Sequence, residues 1–251
     1  MNEKLIISNP WESLRVFTPA RIAQGRAGHS LPTTELLKFQ ADHAMARDAV
    51  YSELSENLKN DLSEIQSPVF QLYSQVKNRS QYLQRPDLGR KLDNGSQQNL
   101  IQNGSENSFD VAFVIADGLS ASAINHHAIP VLKLVVPNLK LNHWTVAPFC
   151  IVEQGRVAIA DEIGFLLKAQ IVVILIGERP GLSSPDSMGA YITYAPKTGL
   201  TDESRNCVSN IRPEGLNYEA ASHKILYLLE EMKTKKLSGV NLKDEMQERI
   251  A

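Results

Sequence analysis

Read for its apolar and polar positions, the chain divides into two textures. From about residue 110 onward, short unbroken apolar runs alternate with segments of helical spacing. IVVILIG (171–177) is the strongest of these runs: too short to span a bilayer, too β-branched for a comfortable helix, and apolar on both faces. Such a run is the signature of a strand in the middle of a sheet. DVAFVIA (110–116), WTVAPFC (144–150, with Pro148 pointing to a bulge or an edge) and GAYITYA (189–195) predict three more strands. Between them, Ser120 or Ser122 caps a short helix and Pro130 starts a second one running to about Leu139. VAIADEIGFLLK (157–168) places Ile159, Ile163, Leu166 and Leu167 on one helical face. Tyr218, Ala221, Ile225, Leu228, Leu229 and Met232 form the stripe of a last helix over about 218–236, and the tail 237–251 reads as frayed.

Before residue 108 the pattern is different. Residues 1–33, with Pro10, Pro19 and Pro32, read as an irregular arm carrying Arg15, Arg21 and Arg26. A helix follows Pro32, capped by Thr33 or Thr34, with Leu36, Phe39, His43, Ala46 and Val50 on one face. His43 on that stripe suits a core or interface position better than a ligand, because no second ligand stands at i+4. Residues 52–67 read as polar helix-to-turn, and 67–92 mix helical spacing with a turn at Arg85-Pro86-Asp87. The polar stretch 93–107 reads as a weak helix or surface loop and as the boundary. The expected organisation is an arm and small helical region over 1–107, followed by an α/β domain over 108–251. The fold expected for the latter is a Rossmann-like, doubly wound, mostly parallel sheet flanked by helices.

Composition narrows the function. A net charge of −2 gives no electrostatic footprint for nucleic acid or anionic membrane. The two cysteines, Cys150 and Cys207, form no zinc-ligand pattern and suit a reducing cytoplasm; the N-terminus lacks a signal peptide's apolar core. GxGxxG after the first strand, a Walker A loop, HExxH and GxSxG are all absent. His126-His127 is a poor chelate, since adjacent helical residues diverge. Asp117 and Glu178 each follow a candidate strand, where open α/β sheets bind ligands, and would line one crevice if those strands are neighbours. Asp117 fits a turn cap equally well, and Glu178 with Arg179 fits a surface ion pair beside a turn.

Eight segments carry a more specific signal: RIAQGRAG (21–28), FQADHAMARDAV (39–50), YLQRPDLGRKL (82–92), DGLSASAI (117–124), GRVAIADEIG (155–164), LIGERPGL (175–182), NCVSNI (206–211) and SGVNL (238–242). In this order they resemble the small (light) subunit of adenosylcobalamin-dependent ethanolamine ammonia-lyase. Residues 93–107 and the tail after Leu242 match poorly. The resemblance implies a lyase that converts ethanolamine to acetaldehyde and ammonia, by radical chemistry started through homolysis of the cobalt–carbon bond. It implies a large barrel subunit that holds ethanolamine and the catalytic groups, with this chain covering the cobalamin. The cobalamin-binding positions it implies are Val157, Glu178 and Cys207; no catalytic and no metal-binding residue is expected here. DHAMARD (42–48) does not fit DxHxxG, so the cofactor is expected to keep its benzimidazole as lower ligand. A bacterial cytoplasm, and a protein-shelled microcompartment within it, are the implied location. Trp11, Phe17 and the three arginines of the arm suit an interface with a partner. The alternative is a stand-alone small-molecule binding or regulatory module of the same fold.

Overall fold

A computed structural model describes residues 5–104 and 107–246. At its centre is a six-stranded sheet in the order β1-β3-β2-β4-β5-β6. The strands are β1 (Val69–Tyr73), β2 (Phe109–Ala116), β3 (Phe149–Glu153), β4 (Ala169–Gly177), β5 (Met188–Tyr194) and β6 (Asn206–Ile211). The helices are α1 (Thr33–Tyr51), α2 (Leu58–Ile65), α3 (Arg79–Gln84), α4 (Asn94–Asn103), α5 (Ala121–Leu141), α6 (Ile159–Leu166) and α7 (Tyr218–Lys235).

Period-2 alternation within the all-apolar strands divides the core into two layers. Val111, Phe113, Ile115, Ile171, Val173 and Leu175 face α2, α5 and α7. Ala112, Val114, Ala116, Val172, Ile174 and Ile176 face α4 and α6. β2 and β4 are therefore covered on both sides, which is why neither shows a polar alternation.

The expectation of a mostly parallel, doubly wound sheet is met only as α/β; the sheet is mixed. β1, β3, β2 and β4 pair in parallel, whereas β4–β5 and β5–β6 are antiparallel. The reason lies in the connections. A parallel return needs a crossover of a dozen residues or more, usually a helix. Residues 178–187, between β4 and β5, contain no helix, and 195–205 contain only a 3-10 turn at Asp202–Ser204. A chain leaving β4 this way re-enters the sheet at the end it left, running backwards.

Other expectations also shift. β1 lies in the stretch read as helix and turn, and pairs with β3 at the sheet edge. β6 falls in what was read as a loop; it is held by its ladder to β5 rather than by apolar content. The strand expected over 144–150 begins after Pro148 and runs to Glu153, with Val146 bridging to Val111. α5 is one helix rather than two, passing through Pro130 and Pro137. α1 forms where expected but without a side-chain cap, and of its 19 residues only Ala49 is buried. His43 is exposed, its ring beside that of Phe39, so it has no place in this chain's core. Residues 1–4, 105 and 106 lie outside the described residues, as does 247–251, the end of the tail read as frayed over 237–251. Residues 239–241 form a 3-10 turn held by Asn206, whose Nδ2 donates to the Gly239 and Leu242 carbonyls. Among the described residues no helix is long and apolar enough to cross a membrane.

Candidate functional site

β2 and β4 are parallel neighbours, with Ala116 opposite Ile176, so Asp117 and Glu178 emerge at the same edge of the sheet. The strand ends are drawn tightly together there. Leu119 N donates to the Gly177 carbonyl (2.9 Å), and Gly118 has φ +56°, with any Cβ falling 2.3 Å from Gly177 O. Only glycine combines that conformation with that approach.

The two carboxylates nevertheless turn apart. Asp117 is buried and points toward β3: its Oδ1 accepts from Gly155 N (3.2 Å), and Arg79 Nη1 lies 3.4 Å from Oδ2. Burial pushes its pKa up to about 6, even with the Arg79 guanidinium and backbone N–H groups pulling the other way. Glu178 points instead toward β6, accepting from Ser209 Oγ (2.5 Å) and Asn210 N (3.2 Å). Asp117 is thus a structural group behind the crevice, and no acid–base pair is formed between them.

Glu178 lines a recess of about 210 Å³ with Tyr82, Gly118, Leu119, Arg156, Val157, Ile176, Gly177, Arg179 and Tyr191. Val157 precedes α6 and Glu178 follows β4, so two of the three expected site residues meet in this recess. Cys207, the third, is exposed on β6 and stands opposite Tyr191 across the β5–β6 ladder. Its thiol pKa is raised, mainly by desolvation, with Glu178 adding to the rise and Tyr191 opposing it. A thiol held protonated contacts a ligand by packing or weak hydrogen bonding, not as a thiolate. Cys150 is fully buried between β1 and β2 and takes no part.

Sequence reasoning overlooked Tyr82, Arg156 and Tyr191. Arg156 sat in plain view beside Val157, and its signal was a cation at the mouth of a helix following a strand. Tyr82 carried no signal, because its place in the recess depends on α3 folding across 73 residues of sequence onto Gly155. His126 and His127 do not join the recess; His127 Nδ1 bonds Tyr218 (2.8 Å) on the far side of α5. A larger hollow of about 680 Å³ lies at the other end of the sheet, lined by Phe109, Asp110, Ala169 and Gln170. Its one carboxylate, Asp110, is already paired with Lys233 (2.8 Å) and Thr145, which leaves little chemistry there.

Comparison with known proteins adds the following. The sequence model of the family described as ethanolamine ammonia-lyase light chain (EutC) matches residues 8–243. A Ralstonia nicotianae protein named ethanolamine ammonia-lyase small subunit is 54% identical over 242 residues, covering 95% of this chain and 90% of its own. A Pseudomonas putida protein of the same name is 54% identical, covering 94% of this chain and 88% of its own. One from Pseudomonas syringae pv. tomato is 53% identical, covering 96% and 85%.

Proposed function

The chain belongs to the ethanolamine ammonia-lyase light-chain family, and from that premise we propose that its recess grips one edge of a cobalamin held against a larger catalytic subunit. As the small subunit of this carbon–nitrogen lyase, the chain serves the conversion of ethanolamine to acetaldehyde and ammonia. The observation that carries the cofactor reading is the meeting of Val157 and Glu178 in one recess, with Cys207 across the ladder from Tyr191.

The residues present fit the group. At about 210 Å³ the recess is smaller than the roughly 300–1,000 Å³ that encloses a drug-sized ligand, and a corrinoid is larger still. It suits the rim of a flat ligand whose remainder lies against another surface, which is what a shared site requires. Each Glu178 oxygen has one protein donor, and an ionised carboxylate offers about four acceptor positions, so capacity remains for amide N–H groups of a corrin periphery. Val157 supplies apolar contact and backbone groups, and Cys207 a neutral thiol. Adenosylcobalamin, bound here, supplies radical initiation through homolysis of its cobalt–carbon bond. The residues of this chain orient it and shield it from water; ethanolamine and the catalytic groups belong to the large subunit. DHAMARD (42–48) does not supply the DxHxxG histidine, and on that ground the cofactor keeps benzimidazole as its lower ligand. A spectrum of the bound cofactor showing the base displaced overturns that part.

The test is ammonia release from ethanolamine with adenosylcobalamin, comparing this chain, the large subunit, and both together. Activity is expected only in the mixture. Full activity of the large subunit alone overturns the reading.

A further inference from the structure

Two guanidinium groups converge on one buried ring, and their surroundings differ. Tyr82 is completely buried; Arg79 Cζ lies 4.6 Å and Arg156 Cζ 4.0 Å from the centroid of its ring. Arg79 is saturated. Its Nε donates to Val50 O (2.7 Å), and its Nη1 donates to Gly118 O (2.9 Å) and lies near Gln154 Oε1 and the Asp117 carboxylate. It is a structural cation with a structural counter-ion.

Arg156 is held as firmly but left unanswered. Its Nη2 donates to Tyr82 O (3.0 Å) and its backbone N to Gly89 O (2.7 Å). Its stem passes directly over Gly89, where a Cβ would sit 2.8 Å from Arg156 Cγ. The Tyr82 hydroxyl donates to Gly155 O (2.9 Å), fixing the backbone one residue earlier. Yet among the described residues Arg156 has no carboxylate partner, and its Nε is buried without an acceptor. Of its five guanidinium donors, one is used among the described residues. A half-buried cation fixed by stacking, by main-chain bonds and by a glycine made room for it is costly to leave without acceptors. It lines the same recess as Glu178, on the opposite side from β6. The neighbouring Arg179 is exposed and also unpaired among the described residues, so the mouth is cationic apart from Glu178.

We propose that Arg156 is a binding residue of this recess, donating from its guanidinium to an oxygen acceptor on the corrinoid edge, with Tyr82 as its positioning residue. The acceptor is an amide carbonyl or a phosphate oxygen; both offer the lone pairs that a fixed guanidinium fork selects. With Glu178 accepting and Arg156 donating, the recess reads both halves of a polar edge. The assignment rests on the cobalamin reading above.

The experiment uses the assembled complex of this chain with its large subunit, and measures equilibrium binding of cyanocobalamin and of dicyanocobinamide, which lacks the nucleotide loop and its phosphate. Arg156→Gln is expected to weaken cyanocobalamin binding roughly ten- to a hundredfold, the loss of a hydrogen bond to a charged group. Arg156→Lys, which keeps the charge without the fork, is expected to recover part of it. Equal loss for both ligands identifies an amide carbonyl; loss for cyanocobalamin alone identifies the phosphate. Tyr82→Leu is expected to weaken binding in the parent chain and to add nothing in the Arg156→Gln background, the non-additivity of a residue that acts through another. Unchanged affinity for both ligands in assembled Arg156→Gln and Arg156→Lys complexes overturns the assignment. A parent complex that binds neither ligand overturns instead the reading on which it rests.

Discussion

Two buried aspartates behind the recess show how single side chains organise it. Asp161, on α6 one turn beyond Val157, pairs with Arg205, which immediately precedes the strand bearing Cys207; both are almost inaccessible. The pair ties two segments of the candidate site to each other. Burial raises the Asp161 pKa to about 6, the Arg205 charge opposing that rise, and the cost of dehydrating both ions makes this a poor source of net stability. Removing one partner is another matter, because it strands the other charge. Asp161→Ala is expected to destabilise the chain by about 3–5 kcal/mol, read as a fall in the urea midpoint. A loss below about 1 kcal/mol would mean water reaches Arg205 freely. Asp117 carries a pH signature. Its folded-state pKa, about 6, lies above the ordinary 3.8, so the folded chain holds that proton more tightly than the unfolded one. The stabilising contribution is fully present below about pH 3.8 and is lost as pH rises through about 6. Asparagine does not titrate. The stability of the parent chain relative to Asp117→Asn is therefore expected to decline from pH 4.5 to pH 7, measured by urea unfolding at both; a difference that stays constant or grows rejects the assignment.

At the scale of elements, α5 decides what the site can be. It begins at Ser120, just past the strand end that carries Asp117, and Ser120 Oγ accepts from Ala123 N (3.3 Å) while donating to Pro185 O (3.2 Å). One hydroxyl thus caps the helix and anchors the loop that starts at Glu178. Ser120→Ala is expected to cost about 1 kcal/mol in stability, with a larger proportional effect on cobalamin affinity than Ser63→Ala, whose hydroxyl bonds only within α2 on the surface. Equal effects on affinity would show the loop needs no anchor. α5 also shows where pattern and local propensity compete. A proline inside a helix costs about 3 kcal/mol, which argues for a break at Pro130. The apolar stripe Ile124, Ala128, Val131, Val135 and Leu139 runs past it unbroken and buried, and burying each aliphatic side chain returns about 1.5–3 kcal/mol. The stripe was legible; its victory over the proline was not, since it depended on β2, β4 and α7 being there to cover it.

Taken as a whole, the molecule is a covered sheet with one helix left bare. α1 is bonded to the body at its C-terminal end, where Arg79 donates to Val50 O and Ser52 Oγ accepts from Ser122 N (2.9 Å). The arm reaches it through ion pairs of Arg15 with Glu35 and Arg21 with Asp42. Leu37, Met45 and Tyr51 on α1, with Trp11, Val16 and Phe17 on the arm, are all at least half exposed. Most helical stability in proteins comes from packing one face against the body, and of the 19 residues of α1 Ala49 alone is buried. We expect this face to meet the large subunit: Leu37→Glu and Met45→Glu should weaken association, followed by sedimentation of the mixed subunits, while leaving the unfolding midpoint of the isolated chain within about 0.5 kcal/mol. Association unaffected by both changes would place the contact elsewhere.

What the sequence determined by itself was whatever local pattern and short segments can carry. β2, β4, α6 and α7 announce themselves because their apolar periods are strong and uninterrupted, and the ordered segments from RIAQGRAG to SGVNL identify the family. The tertiary structure decided the rest. It gave β1 and β6 their place as edge strands, where ladder hydrogen bonds substitute for a clear alternation. It reversed β5 and β6, because short connections cannot cross the sheet. It sent Asp117 inward to Arg79 and Glu178 outward to Ser209, although both leave neighbouring strands at one edge. It brought Tyr82 under Arg156. Each of these depends on contacts between residues far apart in the chain, whose energies exist only once the sheet has closed, and no window of sequence contains them.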